Sequence, residues 1–177
     1  MGRLVIAVAA ALAMATPVLA QGCGPTRLKV TESVTLDMPP AKAWAIVGHF
    51  QDMSWDKATV ATSGNGGDVP ETAVRTVRLK DGTAFGESLY KYNAEAMSYS
   101  YHIDKIDVAR LPVQNVSATI EVVPDGDAKS KVVWRAAFYR YLTPDEGAPD
   151  AADNRAKQAV IDYLKAGLAG LKADARS

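Results

Sequence analysis

The chain has 177 residues, 48% of them hydrophobic, with 20 basic and 20 acidic side chains and a single cysteine, Cys23. A balanced charge gives no electrostatic footprint for nucleic acid or for an anionic membrane surface, and one thiol allows no internal disulfide. The length suits one domain with a sizeable core and hardly two.

Met1-Gly2-Arg3 is a short basic start, Leu4 to Ala15 is apolar or small throughout, Pro17 breaks the run, and Val18-Leu19-Ala20 offers small residues to a signal peptidase. That order predicts a secretory leader over residues 1–20, too short to span a bilayer, followed by a flexible N-terminus over 21–26. Cleavage after Ala20 removes one base, Arg3, and no acid, leaving 19 basic and 20 acidic residues, a net charge of −1. Ala20-Gln21-Gly22-Cys23 loosely resembles a lipoprotein box, but Gln21 fits it poorly and the usual leucine stands one position early, at Leu19. A cleaved, unanchored periplasmic product is expected, with lipidation at Cys23 the alternative. No second apolar span appears, so no transmembrane segment is expected.

Residues 27–177 read as one unit. Arg27 to Leu36 alternates with β-branched residues and predicts a strand. Asp37-Met38-Pro39-Pro40 stops it and opens a helix. Trp44, Val47 and Phe50, three apart, give that helix an apolar stripe over Ala41 to Phe50. Gln51 to Trp55 predicts a second short helix or a turn. Lys57 to Thr62 is a weak strand, and Ser63 to Asp68, with three glycines, is a turn cluster.

Ala73 to Leu79 alternates, with Arg75, Val77 and Leu79 on one side and Val74, Thr76 and Arg78 on the other. Asp81-Gly82 signals a hairpin, and Phe85 to Tyr92 is its partner strand. Met97 to Ile103 sets Met97, Tyr99, Tyr101 and Ile103 against Ser98, Ser100 and His102. Val113 to Val123 aligns Val116, Ala118, Ile120 and Val122. After a turn at Pro124 to Asp127, Lys131 to Tyr141 aligns Val132, Trp134, Ala136 and Phe138. Seven strands joined mostly by short turns predict an antiparallel meander. A polar loop over Tyr141 to Pro149 leads to a long helix, Asp150 to Ala173, with a stripe of Val160, Leu164, Leu168 and Leu171. Gly167 and Gly170 each cost about 1 kcal/mol relative to alanine in a helix. They leave room for a ligand or a close strand, or are tolerated near the end of the chain, the reading preferred here.

The expected architecture is therefore α+β, a helix-grip fold. A seven-stranded antiparallel sheet wraps a long C-terminal helix, with a short helix pair after the first strand. Such a sheet encloses a cavity. No catalytic constellation is visible in the residues. His49 and His102 stand outside any metal spacing; His49 reads as a helix-end residue and His102 as solvated. The glycine cluster lacks a Gly-Lys-Ser/Thr ending and opens no helix, which argues against a phosphate loop and for a mobile loop at the cavity mouth. Glu87, Glu121, Asp104 and Asp107 show no convergence. Trp55, Tyr99, Tyr101, Trp134 and Phe138 are candidates to line the interior, as walls for a flat apolar ligand or as an ordinary core. The core reading is preferred for Trp134 and Phe138, and the two stay even for Tyr99 and Tyr101.

The run Trp44 to Trp55, then Gly66-Gly67, Arg75 to Gly82, Tyr99-Ser100-Tyr101, Leu111-Pro112-Val113 and Val133-Trp134-Arg135 resembles the SRPBCC superfamily, the START/Bet v 1-like helix-grip proteins. Within it the chain resembles the polyketide cyclase/dehydratase-like branch and is most similar to periplasmic MxaD-type proteins, over about Leu28 to Leu171. The resemblance implies a non-enzymatic accessory role in methanol oxidation, assisting contact between methanol dehydrogenase and a cytochrome c, with no cofactor of its own. Relatives often read Trp-His-Pro where this chain has Trp55-Asp56-Lys57, which weakens any cyclase-type acid–base role. The expected contact surface is the cavity mouth: Trp55, Asp56 and the loop with Gly66, Gly67 and Asp68. A carrier of a small apolar ligand and a cyclase-type enzyme are the alternatives.

Overall fold

A computed structural model describes residues 26–143 and 148–174. The expected leader, Cys23 and part of the loop before the last helix lie outside them. The elements in chain order are β1 (Leu28–Leu36), α1 (Pro40–Val47), β2 (Thr59–Asn65), β3 (Val74–Leu79), β4 (Ala84–Asn93), β5 (Ser98–Lys105), β6 (Val113–Pro124), β7 (Ser130–Arg140) and α2 (Pro149–Asp174). The seven strands form one sheet in the order β1-β7-β6-β5-β4-β3-β2, every neighbouring pair antiparallel. The first strand thus closes on the last, and the segment carrying α1 crosses to the opposite edge. Among the described residues no helix is long and apolar enough to cross a membrane.

The α+β helix-grip architecture is the one expected, and strand alternation explains it. Val77 and Leu79, Tyr99 and Tyr101, Ile120 and Val122, and Trp134 and Phe138 are all buried on the concave face, because side chains two apart share a face. The stripe Val160, Leu164, Leu168 and Leu171 of α2 is buried against that face. Register shifts at Gly86/Glu87 and Leu89/Lys91 in β4, and at Gln114/Ser117 in β6, interrupt the ladders. Such bulges bend strands and help a sheet curl around a helix.

Three local expectations change. The first helix ends at Val47, and residues 49–57 form turns rather than a second helix. The cause is local: Asp52 accepts from Ser54 N–H at 2.8 Å and Asp56 from Ala58 N–H at 2.9 Å, side-chain bonds that compete with helical ones. His49 therefore lies beyond the helix, with Nδ1 3.2 Å from Asp68, while Phe50 is fully buried outside it. Second, Ser63 to Asn65 belong to β2, paired with β3; only the later part of the glycine cluster turns.

Third, the glycines of α2 are not merely tolerated. A Cβ at Gly167 would stand 2.8 Å from Trp134 Cζ3, and one at Gly170 2.8 Å from the Lys57 backbone nitrogen and 3.0 Å from the Trp55 carbonyl oxygen. The helix therefore lies against the 55–57 turn at a distance that excludes a methyl group. Gly170→Ala should gain about 1 kcal/mol of helix propensity yet lose about 1–3 kcal/mol to overpacking against backbone. A urea melt showing a lower midpoint is the expected result, and a higher midpoint would contradict the close packing.

Candidate functional site

Two neighbouring strands build the centre of the site. Arg75 on β3 is cross-strand partner to Glu87 on β4, and Arg75 Nε stands 2.6 Å from Glu87 Oε2, both side chains 0% exposed. The guanidinium also donates through Nη1 to the Phe50 carbonyl and lies 4.3 Å from the Phe50 ring centre and 5.0 Å from that of Tyr101. Burial works against the Arg75 cation, but the Glu87 carboxyl, with Tyr99 and Tyr101, outweighs it and keeps the guanidinium protonated. Burial pushes Glu87 above the ordinary carboxylate range, with Arg75 pulling the other way.

Tyrosines surround the pair. Tyr101 accepts a hydrogen bond from Trp134 Nε1 at 3.1 Å. The hydroxyls of Tyr99 and Tyr163, Trp55 Nε1, Arg75 Nη2 and Glu87 Oε1 are buried without a well-formed hydrogen bond. Burial pushes the Tyr99 phenol up to about 12, although Arg75 is near enough to pull it back. Burial and then the Glu87 charge hold Tyr101 and Tyr163 well above the usual phenol value. A concentration of unpaired buried polar atoms is uncommon in folded proteins and calls for a role.

The five aromatic candidates come together. Trp55, Tyr99, Tyr101, Trp134 and Phe138 are all buried, with Trp55 and Trp134 edge-on at 5.5 Å and Tyr99 and Tyr101 at 6.0 Å between ring centres. They fill the interior between sheet and α2. Asp56, expected on an exposed contact surface, is only 1% exposed, as is Trp55. The physical reason is the close seating of α2 on the 55–57 turn, which leaves Asp56 to accept from Ala58 N–H and the Thr59 hydroxyl. Of the other contact candidates, Gly67 is exposed and Gly66 and Asp68 are half-buried. Asp68 Oδ1 accepts from Phe50 N–H at 2.7 Å, which ties the turn to the segment after α1.

A cleft of about 440 Å³ lies on the outer side of the 55–57 turn, at Gln51, Lys57 and Thr59, and a second one lies against α2. A cleft of about 390 Å³ runs between α2 (Ala159, Tyr163 and Ala166) and Phe85 and Leu111 of the sheet side, with Arg110 and Asp162 at its rim. Tyr163 is its inner wall. Its ring sits edge-on at 5.5 Å to both Phe85 and Trp134, and its hydroxyl is buried on the inner side. Arg110 is held 2.9 Å from Asp81 across the hairpin turn. Among the described residues no cluster of His, Cys, Asp or Glu is placed to hold a metal ion.

The sequence reading missed Arg75, weighed Glu87 without finding its partner, and missed Tyr163. The signals for the first two were present: Arg75 shares a strand face with Val77 and Leu79, and Glu87 falls between Phe85 and Leu89. A charged residue on an apolar strand face is buried or strained, and two on adjacent strands imply a pair. Tyr163 lies one position off the leucine stripe of α2, and only the packing shows which way it faces.

A search of curated proteins finds no match. Solved structures share the fold. Protein XoxI from Bacillus cereus is 23% identical, over 82% of this chain and 94% of its own, with a TM-score of 0.69. A Thermobifida fusca protein solved by NMR is 25% identical, over 83% and 92%, with a TM-score of 0.64. The ZhuI aromatase/cyclase of Streptomyces sp. R1128 is 13% identical, over 85% and 94%, with a TM-score of 0.66. The model of the family described as polyketide cyclase / dehydrase and lipid transport matches residues 27–176. With that match spanning the whole sheet and both helices, the chain belongs to this family of the SRPBCC superfamily.

Proposed function

We propose that the protein is a binding module that holds a small, flat, largely apolar molecule in the cleft between α2 and Phe85. The carrying observation is the cleft itself. Its volume of about 390 Å³ falls in the range of small-ligand sites, and Tyr163 and Phe85 on its wall join it to the buried aromatic cluster. The family description takes in both cyclase/dehydrase chemistry and lipid transport. Binding is favoured over catalysis because the cleft wall carries no histidine, thiol or convergent carboxylate pair. The neutral fluorescent probe N-phenyl-1-naphthylamine tests this. The purified protein should take it up with rising fluorescence, and Ala159→Trp, which fills the cleft, should weaken uptake at least about tenfold, or roughly 1.4 kcal/mol. No uptake, or uptake unchanged in the plugged variant, would refute the reading.

A second reading is an exported accessory protein that works by contact, in methanol or related alcohol oxidation, between methanol dehydrogenase and its cytochrome c. The resemblance to MxaD-type proteins supports the pathway. One observation supports a contact surface: Val60 and Val69, at 55% and 57% exposed, stand with Val74 around the edge strand β2 and its turn. Large exposed aliphatics in one place often mark protein contacts. An affinity pull-down of the tagged protein from its host, recovering a quinoprotein dehydrogenase or a cytochrome c, is the result expected on this reading.

A further inference from the structure

The two charges at the mouth of the cleft carry an inference about the ligand's head group, which rests on the ligand-binding reading above. Of the residues lining the cleft, only Arg110 and Asp162 are charged. They stand on opposite walls, Arg110 on the segment before β6 and Asp162 on α2, and each is held by a neighbour on its own side. Arg110 Nε lies 2.9 Å from Asp81 Oδ2, which leaves the terminal edge of the guanidinium, Nη1 and Nη2, for a further acceptor. Asp81 is itself fixed, accepting from Thr83 N–H at 3.0 Å through Oδ1. The Thr83 hydrogen bonds, with Arg110 adding to them, hold its carboxyl below the ordinary carboxylate range. The backbone that carries Arg110 is a tight turn, in which Asp107 accepts from Ala109 N–H through its side chain and from Arg110 and Leu111 N–H through its carbonyl. Across the mouth, Asp162 Oδ1 accepts from Gln158 Nε2 at 2.8 Å, which leaves Oδ2 to a further donor.

A cation and an acid on opposite walls of an apolar slot, each oriented from its own side, match a dipolar head group. A carboxylate on Arg110 makes a charge-assisted, fork-shaped contact, and an ammonium beside it donates to Asp162. A singly charged head gains from one wall and is repelled by the other. The rest of the slot has no place for charge: Phe85, Leu111, Ala159, Tyr163 and Ala166 offer rings and aliphatic groups, and the Tyr163 hydroxyl is buried. We infer that the cleft takes an aromatic amino acid or a molecule with the same head, its ring against Phe85 and Tyr163, its carboxylate on Arg110 and its ammonium on Asp162. The head then stays at the wet mouth, where neither of its charges has to leave water.

Four probes with one ring test this on the purified protein by equilibrium dialysis at low salt and neutral pH: L-tryptophan, tryptamine, indole-3-propionate and the neutral alcohol tryptophol. An exposed charge contact is worth about threefold. Tryptophan should therefore bind about threefold tighter than tryptamine or indole-3-propionate, and about tenfold tighter than tryptophol. Arg110→Gln should leave tryptophan no tighter than tryptamine, and Asp162→Asn should leave it no tighter than indole-3-propionate. The Arg110 side chain is 64% exposed and Asp162 is exposed, so neither substitution opens the core. Tryptophol bound as tightly as tryptophan by the wild type would overturn the head-group assignment alone, leaving the cleft reading in place. A threefold preference for tryptophan over tryptamine that survives Arg110→Gln, or over indole-3-propionate that survives Asp162→Asn, would also overturn it. If none of the four binds while N-phenyl-1-naphthylamine is taken up, this inference falls by itself; if that probe is refused as well, the cleft reading falls with it.

Discussion

Glu87→Ala is expected to destabilise the protein by about 3–5 kcal/mol, the cost of leaving one member of a buried ion pair without the other. Arg75 would remain with its side chain 0% exposed, still donating to the Phe50 carbonyl but without its carboxylate. A guanidinium does not shed its proton to escape burial. The cost therefore falls on the fold. Removing both charges with Arg75→Met and Glu87→Leu should return most of the loss, because apolar groups of similar size can replace a buried pair at little net cost. Urea denaturation of the single and double variants measures both. A double variant no more stable than Glu87→Ala would mean that the pair does more than neutralise itself.

Raising the pH should unfold the protein cooperatively before its interior tyrosines ionise. In an unfolded chain phenols titrate near 10; in the fold Tyr99 titrates at about 12, and Tyr101 and Tyr163 well above the ordinary value. Between those values the folded state keeps protons that the unfolded state has released, so stability falls as pH rises. The stabilisation is complete below about pH 10 and is lost as pH climbs through the folded values. Each group contributes about 1.4 kcal/mol per pH unit in that window, so three together remove about 4 kcal/mol per unit, a large share of an ordinary domain's stability. Absorbance at 295 nm should show the exposed tyrosines titrating first and three ionising only together with the loss of near-ultraviolet circular dichroism. Smooth titration of all seven in the folded protein would contradict the burial of the hydroxyls.

How much of this was legible in the sequence differs between fold and site. Strand alternation alone locates the sheet, since the period of two is a property of the backbone: Val116, Ala118, Ile120 and Val122 are buried as spaced. The leucine stripe of α2 follows the helical period in the same way. The turns at 49–57 escaped because Asp52 and Asp56 compete for backbone N–H groups at short range, which hydrophobic spacing does not register. The aromatic candidates were found as a set, but whether rings enclose a space or fill it depends on how closely two elements approach. Gly167 and Gly170 set that distance, and their effect is visible only against Trp134 and Lys57. Asp56 was misplaced for the same reason. The opening beside Tyr163 joins residues from β4, the segment before β6 and α2, a conjunction that no stretch of sequence contains.

The pairing of β1 with β7 joins Leu28 to Phe138. A strand made near the start of the chain thus waits for more than a hundred further residues before its partner exists. Until then β1 has no neighbour, and its wait is long because closing distant contacts is slow. The sheet therefore cannot close at β1 until β7 is made, although β2 to β6 pair with their chain neighbours and can form earlier.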